Sequence, residues 1–154
     1  MENKRRYVPI RFIDSQGRNV ADPSSIDQTN CLPVISVRVI APGSPDNIGT
    51  ACLALLDTGC DFMHVAPDVL DPVAGRRVRD VSTSGVTGGL DTAAFDCTLL
   101  IPINDGNLVP VETDAIRSPG ISGRAYQLLV GRSLLRHGRL VMDYKDKIFR
   151  FYIE

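Results

Sequence analysis

Short apolar segments separated by proline and glycine recur along the chain, and this spacing constrains the fold more than any other feature. The 154 residues include ten prolines and thirteen glycines, and no segment keeps a long helical periodicity. Val34–Ile40 is rich in β-branched residues that alternate with polar ones, whereas Ala51–Leu56 is almost wholly apolar, as expected for a strand buried on both faces. The pattern predicts an all-β fold of short strands joined by turns.

Length and charge narrow the class of protein further. A chain of this length fits a single domain that can bury a sizeable core. The net charge of −1 at pH 7 offers no sustained basic field, so nucleic acid is not an expected partner. No apolar run approaches the roughly 20 residues of a membrane-spanning helix, and no signal-peptide core follows the charged N-terminus. We therefore predict no membrane association and a cytoplasmic location.

The cysteines argue against a metal centre. They form no C-x-x-C pair, and no histidine pair lies at zinc-ligand spacing. We predict no metal and no cofactor, with the cysteines kept as thiols in a reducing cytosol. The four are Cys31, Cys52, Cys60 and Cys97.

The order of segments predicts two units. Residues 7–20 are typical of a hairpin, because Tyr7–Ile13 alternates apolar and polar side chains and Asp14–Gly17 has turn chemistry. With the polar segment that follows, they predict an N-terminal hairpin and connector over residues 1–32. Residues 33–154 are then the main domain.

Two further patterns lie within the main domain. Arg76–Thr83 and Thr92–Ile103 flank a glycine-rich centre, which predicts a long hairpin with a mobile tip. Leu128–Val130 is a short apolar strand ending at a glycine, and Arg132–His137 predicts a brief helix closed by Gly138. Two terminal strands follow, Leu140–Tyr144 and Ile148–Ile153.

Asp57 is the candidate for chemistry, because it follows the apolar strand directly and precedes Thr58 and Gly59. Burial at such a strand end raises a carboxyl pKa, and a second carboxylate nearby would make the two groups share one proton. Such a pair supplies an acid and a base together, so that one carboxylate activates water while the other binds a carbonyl. An ordinary turn aspartate at a strand end is the alternative.

Three features in order resemble the retropepsin-like (retroviral-type) aspartic protease family. Ala54–Asp61 is similar to the family's active-site segment, and Leu128–Leu135 looks like its second signature of apolar residues, Gly-Arg and a short helix. The glycine-rich hairpin between them corresponds to the family's flap. Together the features cover roughly Pro33–Asp143.

The resemblance implies a single-lobed barrel with a flap hairpin and one short C-terminal helix, assembled as a two-fold homodimer. Only one Asp-Thr-Gly occurs, so symmetry must supply the second carboxylate. By similarity, catalysis falls to Asp57, Thr58 and Gly59, substrate contacts to Asp61, Gly85, Val86 and Gly88, and structural or dimer roles to Gly131 and Arg132. Asp61 and Arg132 match a carboxylate and a guanidinium that pair in the family.

The implied activity is that of an aspartic endopeptidase, which hydrolyses protein or peptide substrates through water activated by two Asp57 carboxylates. The alternative is a catalytically decayed module of the same fold that dimerises or binds extended peptides by strand addition. Cleavage of a peptide library distinguishes the two.

Overall fold

The computed structural model describes residues 5–23, 31–44, 49–85 and 88–154, with only the backbone described at 83–85 and 88–90. The predicted all-β class is confirmed. The helices are short: α1 (Pro67–Leu70), α2 (Arg132–Leu135) and a 3₁₀ turn (Pro119–Ile121). The strands are β1 (Tyr7–Pro9), β2 (Arg11–Ile13), β3 (Asn19–Val20), β4 (Leu32–Ile40), β5 (Thr50–Leu56), β6 (Met63–Val65), β7 (Arg77–Gly85), β8 (Gly88–Pro102), β9 (Leu108–Arg117), β10 (Leu128–Val130), β11 (Gly138–Asp143) and β12 (Ile148–Ile153).

A closed barrel forms the centre of the molecule. Its strands follow the order β4, β5, β10, β6, β9 and β8, and pairing of β8 with β4 completes the ring. The β5–β10 and β6–β9 pairs are parallel, while the other pairs in the ring are antiparallel. Closure pairs the backbone N–H and C=O groups that an open sheet would leave unpaired at its edges.

Alternating side chains fill the barrel, as the strand period requires. Along β5, Cys52, Ala54 and Leu56 are buried, while their neighbours are more exposed, so the predicted burial of this strand on both faces was wrong. The same core contains residues from each strand of the ring, which brings widely separated parts of the sequence together. Fully buried members include Ile35, Met63, Leu99, Ile101, Ala115, Leu128 and Val130.

The predicted long hairpin is present as β7 and β8. The strands pair up to Gly85 and Gly88, and Val86 lies outside the described residues. Pairing of β8 with β9 begins only at Ala94, so the part of β8 before it pairs with β7 alone. The hairpin therefore extends from the barrel as a two-stranded ribbon.

The N-terminal prediction was correct in part. β2 and β3 form the expected hairpin, whose turn places Gly17 at φ 81° and bonds Asp14 to Arg18. Tyr7–Ile13 is not one strand, however, because the chain changes sheets at Ile10. β1 joins a separate three-stranded sheet in the order β1-β12-β11, whereas β2 pairs with β4. The boundary between residues 32 and 33 stays a prediction, and β2 and β4 pair across it.

The predicted function of Gly138 as a helix terminator was wrong. Helix α2 ends at Leu135, and Gly138 is the first residue of β11, without a positive φ. A side chain at this position would collide with the carbonyl oxygen of Tyr152 and with the ring of the buried Phe151. Close strand packing is thus the physical reason for glycine here.

No helix in the described part of the chain is long and apolar enough to cross a membrane.

Candidate active site

Asp57 lies where β5 leaves the barrel, and its own loop fixes its orientation. The backbone N–H of Asp57 donates to the carbonyl of Val130 at 3.0 Å. Its Oδ1 accepts the N–H of Gly59 at 3.0 Å, and its carbonyl accepts the N–H of Cys60 at 3.1 Å. Thr58 and Gly59 are exposed, and Asp57 is partly exposed. The loop therefore holds a carboxylate near solvent at the end of a buried strand.

The two sequence signatures lie side by side because β5 and β10 are parallel neighbours. Leu55 pairs with Leu129 and Leu56 with Val130, so both strands end at the same edge. Asp57 and Gly131 follow at that edge. The pairing explains why segments more than 70 residues apart in sequence build one site.

Gly131 is buried at the closest point between these segments. A Cβ atom on Gly131 would lie 2.5 Å from the carbonyl oxygens of both Cys60 and Phe62, a separation that real side chains do not adopt. Only glycine lets the backbone after β10 approach the Asp57 loop so closely.

Helix α2 completes the support of the loop. The N–H of Arg132 donates to the carbonyl of Cys60 at 2.8 Å, and the N–H of Ser133 donates to the carbonyl of Asp61 at 2.9 Å. These N–H groups belong to the first turn of a helix, which has no intrahelical partners for them. The loop carbonyls therefore accept hydrogen bonds from the first N–H groups of the helix, and these bonds fix the position of the loop.

Asp61 and Arg132 also interact through their side chains. The Arg132 guanidinium donates to Oδ1 of Asp61, joining the loop to α2 a second time. Both side chains are more than half exposed, at 65% and 61%. Solvent weakens such a pair, so it contributes little to the stability of the single chain.

The charge of Asp57 influences two nearby titratable groups, Cys60 and His64. Burial raises the pKa of the Cys60 thiol, and the charge of Asp57 adds to that shift. Burial lowers the pKa of His64, although the charge of Asp57 opposes the change. Nδ1 of His64 lies 2.6 Å from Oγ of Ser118. Both shifts favour the neutral form of the group.

A contact between Phe62 and Arg79 joins the hairpin to the loop, and sequence reasoning missed it. Phe62 follows Asp61 and is 41% exposed, while Arg79 lies on β7 with its guanidinium 4.8 Å from the ring centre. Arg79 also lies 3.8 Å from Asp114 on β9. The sequence shows only an aromatic residue beside the Asp-Thr-Gly segment and does not indicate its partner. Gly85 and Gly88, the other candidate substrate contacts, lie at the far end of this ribbon.

The Asp57 carboxylate makes no hydrogen bond to another carboxyl group in the part of the chain that the structure describes. Asp61, the nearest aspartate in sequence, is engaged by Arg132. Across the described residues, no group of three or more His, Cys, Asp or Glu side chains is placed to hold a metal ion. Within the described residues, Asp57 is thus a single carboxylate whose side chain accepts the N–H of Gly59.

Solved structures similar to this chain include retroviral and retropepsin-like proteases. The EIAV protease in complex with an inhibitor is 20% identical, with 72% of this chain and 93% of that chain covered and a TM-score of 0.49. The simian foamy virus (mac) protease is 17% identical, with 65% and 88% covered and a TM-score of 0.43. A retropepsin-like aspartic protease from Rickettsia conorii is 11% identical, with 99% and 96% covered and a TM-score of 0.48. No protein-family model and no curated protein matches the sequence.

Proposed function

We propose that the chain is a retropepsin-like aspartic endopeptidase that works as a two-fold homodimer. The observation that carries the proposal is the Asp57 loop. A partly exposed carboxylate ends a buried strand, and Gly131 and α2 fix the backbone around it from the second signature segment. Rigid placement of this kind is what general acid–base chemistry requires.

In the proposed reaction, Asp57 of each protomer faces its mate across the two-fold axis, and the pair holds one proton. The ionised carboxylate removes a proton from a bound water, whose oxygen attacks the scissile carbonyl carbon. The protonated carboxyl group donates a hydrogen bond to the carbonyl oxygen. Collapse of the tetrahedral intermediate breaks the C–N bond as a proton passes to the leaving nitrogen, and the dyad regains its single proton.

The exposed residues of the loop take the supporting functions. Thr58 bonds across the axis to the partner's loop, and Gly59 allows the substrate backbone to approach. Asp61 and Arg132 support assembly beside the axis, and Asp61 also contacts the substrate backbone. Exposure of Thr58, Gly59, Asp61 and Arg132 in the single chain supports this placement, since a second copy has access to each of them.

The substrate is an extended peptide that lies between the loop and the hairpin. An extended chain adds its backbone hydrogen bonds to a strand edge, which gives affinity over many sequences. The β7–β8 ribbon acts as the flap, with Gly85, Val86 and Gly88 at its tip, and its closure excludes bulk water. A cytoplasmic location stays a prediction.

The decisive experiment compares wild type with Asp57→Asn on denatured casein and a peptide library. Asparagine keeps the volume of the side chain and removes the charge that accepts the proton, so cleavage is expected to disappear while the fold is kept. Asp146→Asn, in the exposed turn between β11 and β12, is the matched control and retains activity. Cleavage by purified Asp57→Asn would refute the catalytic assignment, and binding without cleavage by wild type would favour the decayed module.

Shared catalysis has its own test. Mixing wild type with a tenfold excess of Asp57→Asn places most wild-type chains in heterodimers, each with one catalytic carboxylate. Activity per wild-type chain is then expected to fall about tenfold, and activity per mole of pure wild type is expected to fall on dilution. Constant specific activity together with a monomeric mass by light scattering would contradict a site built from two chains.

A further inference from the structure

A pocket on the outer surface of the barrel has a chemistry unlike that of the Asp57 site. It has a volume of about 400 Å³ and lies over β2, β4 and β5. Leu53 in its lining is four residues before Asp57, roughly 13 Å along the strand, so the pocket is separate from the proposed active site. The polar members of its lining are Arg11, Ser36, Arg38 and Gln127.

The lining is cationic, with no aspartate or glutamate among the described residues that form it. Arg11 donates to Asn19 Oδ1 at 3.0 Å, and Arg38 donates to the carbonyl of Gly49 at 2.9 Å. Both acceptors are neutral, and within the described ranges neither guanidinium forms an ion pair. Two positive charges therefore meet in one concave surface of a chain whose net charge is −1.

The remaining polar side chains, Gln127 and Ser36, are also able to donate hydrogen bonds. Gln127 Oε1 accepts the N–H of Leu53 at 2.9 Å, while the Gln127 N–H donates to the carbonyl of Leu53 at 2.9 Å. With Oε1 engaged, the side-chain NH₂ of Gln127 is the part left to meet a ligand. Ser36 is exposed and lies two residues before Arg38 on β4, so both side chains face the same side of the strand.

We propose that this pocket binds the phosphate group of a small phosphomonoester. A phosphomonoester carries close to two negative charges at pH 7 and matches the two guanidinium groups better than a single carboxylate does. Arginine is suited to such oxyanions because its planar fork donates two parallel hydrogen bonds. Leu53 and Pro102 supply an apolar wall for the organic part of the ligand. The volume lies at the small end of ligand pockets, which favours one compact group.

Isothermal titration calorimetry with phenyl phosphate tests the proposal on the full chain. Saturable one-to-one binding is expected with wild type and with Asp57→Asn, because the pocket does not use the catalytic carboxylate. Arg11→Gln is expected to weaken binding at least tenfold, since a charge-assisted contact is lost. Arg136→Gln, at an exposed arginine outside the pocket, is the matched control and leaves binding unchanged.

A second pair of variants separates charge from shape. Ser36→Asp introduces a negative charge into the pocket and is expected to abolish binding. Asparagine has nearly the same size as aspartate but no charge, so Ser36→Asn is expected to keep binding. Ser36 is exposed, so both variants are expected to fold, which circular dichroism checks. Parallel titrations with inorganic phosphate and a phosphoserine peptide show whether a free ester or a modified protein is the better source of the group. Absence of saturable phenyl phosphate binding at millimolar concentration, or equal binding by Arg11→Gln and Arg136→Gln, would overturn the proposal.

Discussion

The Asp57 loop and the β7–β8 hairpin both reach solvent, yet the molecule holds them in opposite ways. Backbone hydrogen bonds to Val130 and from α2 fix the loop, and Gly131 packs against two of its carbonyls. In the described backbone ladder, β8 before Ala94 pairs only with β7, with one side-chain hydrogen bond from Thr92 to the carbonyl of Arg117 on β9, and most of the described β7 side chains are exposed. An isolated two-stranded ribbon is marginally stable in water. The Asp57 loop is therefore firmly supported and the outer hairpin weakly supported, as the proposed endopeptidase requires for holding its carboxylate and closing over a peptide.

The largest effect should come from adding a single methyl group to the loop support. Gly131→Ala places a Cβ 2.5 Å from the carbonyl oxygens of Cys60 and Phe62, and neither backbone segment can move without breaking its hydrogen bonds. We expect the free energy of unfolding to fall by about 3 kcal/mol, measured by urea denaturation. Gly120→Ala is the control, because its Cβ would meet nothing within 4 Å, and a change beyond about 0.5 kcal/mol there would weaken the steric explanation.

The hairpin should respond in the opposite sense, losing function without losing stability. Gly88→Pro restricts the tip and removes an N–H, so we expect turnover to fall at least tenfold, which corresponds to about 1.4 kcal/mol in the barrier. The thermal unfolding midpoint should change little, because this part of β8 pairs only with β7. Unchanged turnover in steady-state kinetics would show that the hairpin is only a turn.

The barrel half of β8 contains a buried thiol, Cys97, which makes the free energy of unfolding sensitive to alkali. Burial raises the pKa of Cys97 to about 12 from an ordinary value of 9.0, with the charges of Asp96 and Asp114 adding to the shift. The folded thiol keeps its proton when the unfolded thiol loses it. Its stabilising contribution is therefore complete below pH 9 and decreases as the pH rises from 9 toward 12. At pH 10 we expect a loss of about 1 kcal/mol.

Urea denaturation at pH 8 and pH 10 measures this loss. Cys97→Ala should lower stability at both values and reduce the difference between them. Leu99→Val, two residues away and equally buried, keeps the thiol and should keep the wild-type difference. If Cys97→Ala shows the same difference in free energy of unfolding between pH 8 and pH 10 as wild type, other groups cause the alkaline sensitivity.

The smallest effect on the single chain should come from Arg132→Lys. Its pair with Asp61 is exposed, so we expect the free energy of unfolding to change by less than about 1 kcal/mol. Lysine keeps the charge but lacks the planar fork of arginine, so dimerisation should weaken measurably by analytical ultracentrifugation. Arg18→Lys makes the same substitution in another surface ion pair, with the partly exposed Asp14, and should leave the dimer unaffected. Equal dimer stability in both variants would show that Arg132 has no part in assembly.

Local patterns predicted the position of Asp57 because an almost wholly apolar segment leads directly into it, although β5 fully buries only alternate side chains. They also located the hairpin and the short strand before Gly131. The parallel pairing that brings β5 and β10 together is a tertiary contact, and only the family resemblance indicated that the two segments share a site. Pairing partners are set by the whole barrel, which is why the split of Tyr7–Ile13 between two sheets was missed.

Gly138 and Phe62 show the other limit of sequence reasoning. A glycine after a short helix has two physical explanations, a left-handed turn or a close approach, and only the position of Tyr152 decides between them. The contact of Phe62 with Arg79 depends on how the hairpin lies over the loop. Neither Phe62 nor Arg79 carries a local sequence signal that identifies the other as its partner.

The small sheet has a consequence for the order in which the molecule folds. β1 and β12 come from opposite ends of the described chain, with Tyr7 paired to Tyr152 and Val8 to Phe151. Contacts between such distant positions require closure of a very long loop before they return any energy, and they slow folding. The barrel strands joined by short turns have no such barrier. The β1–β12 pairing is therefore expected to form late, after the Asp57 loop is in place, and the seating of Val8 beside Phe151 is expected to be among the final steps in filling the core.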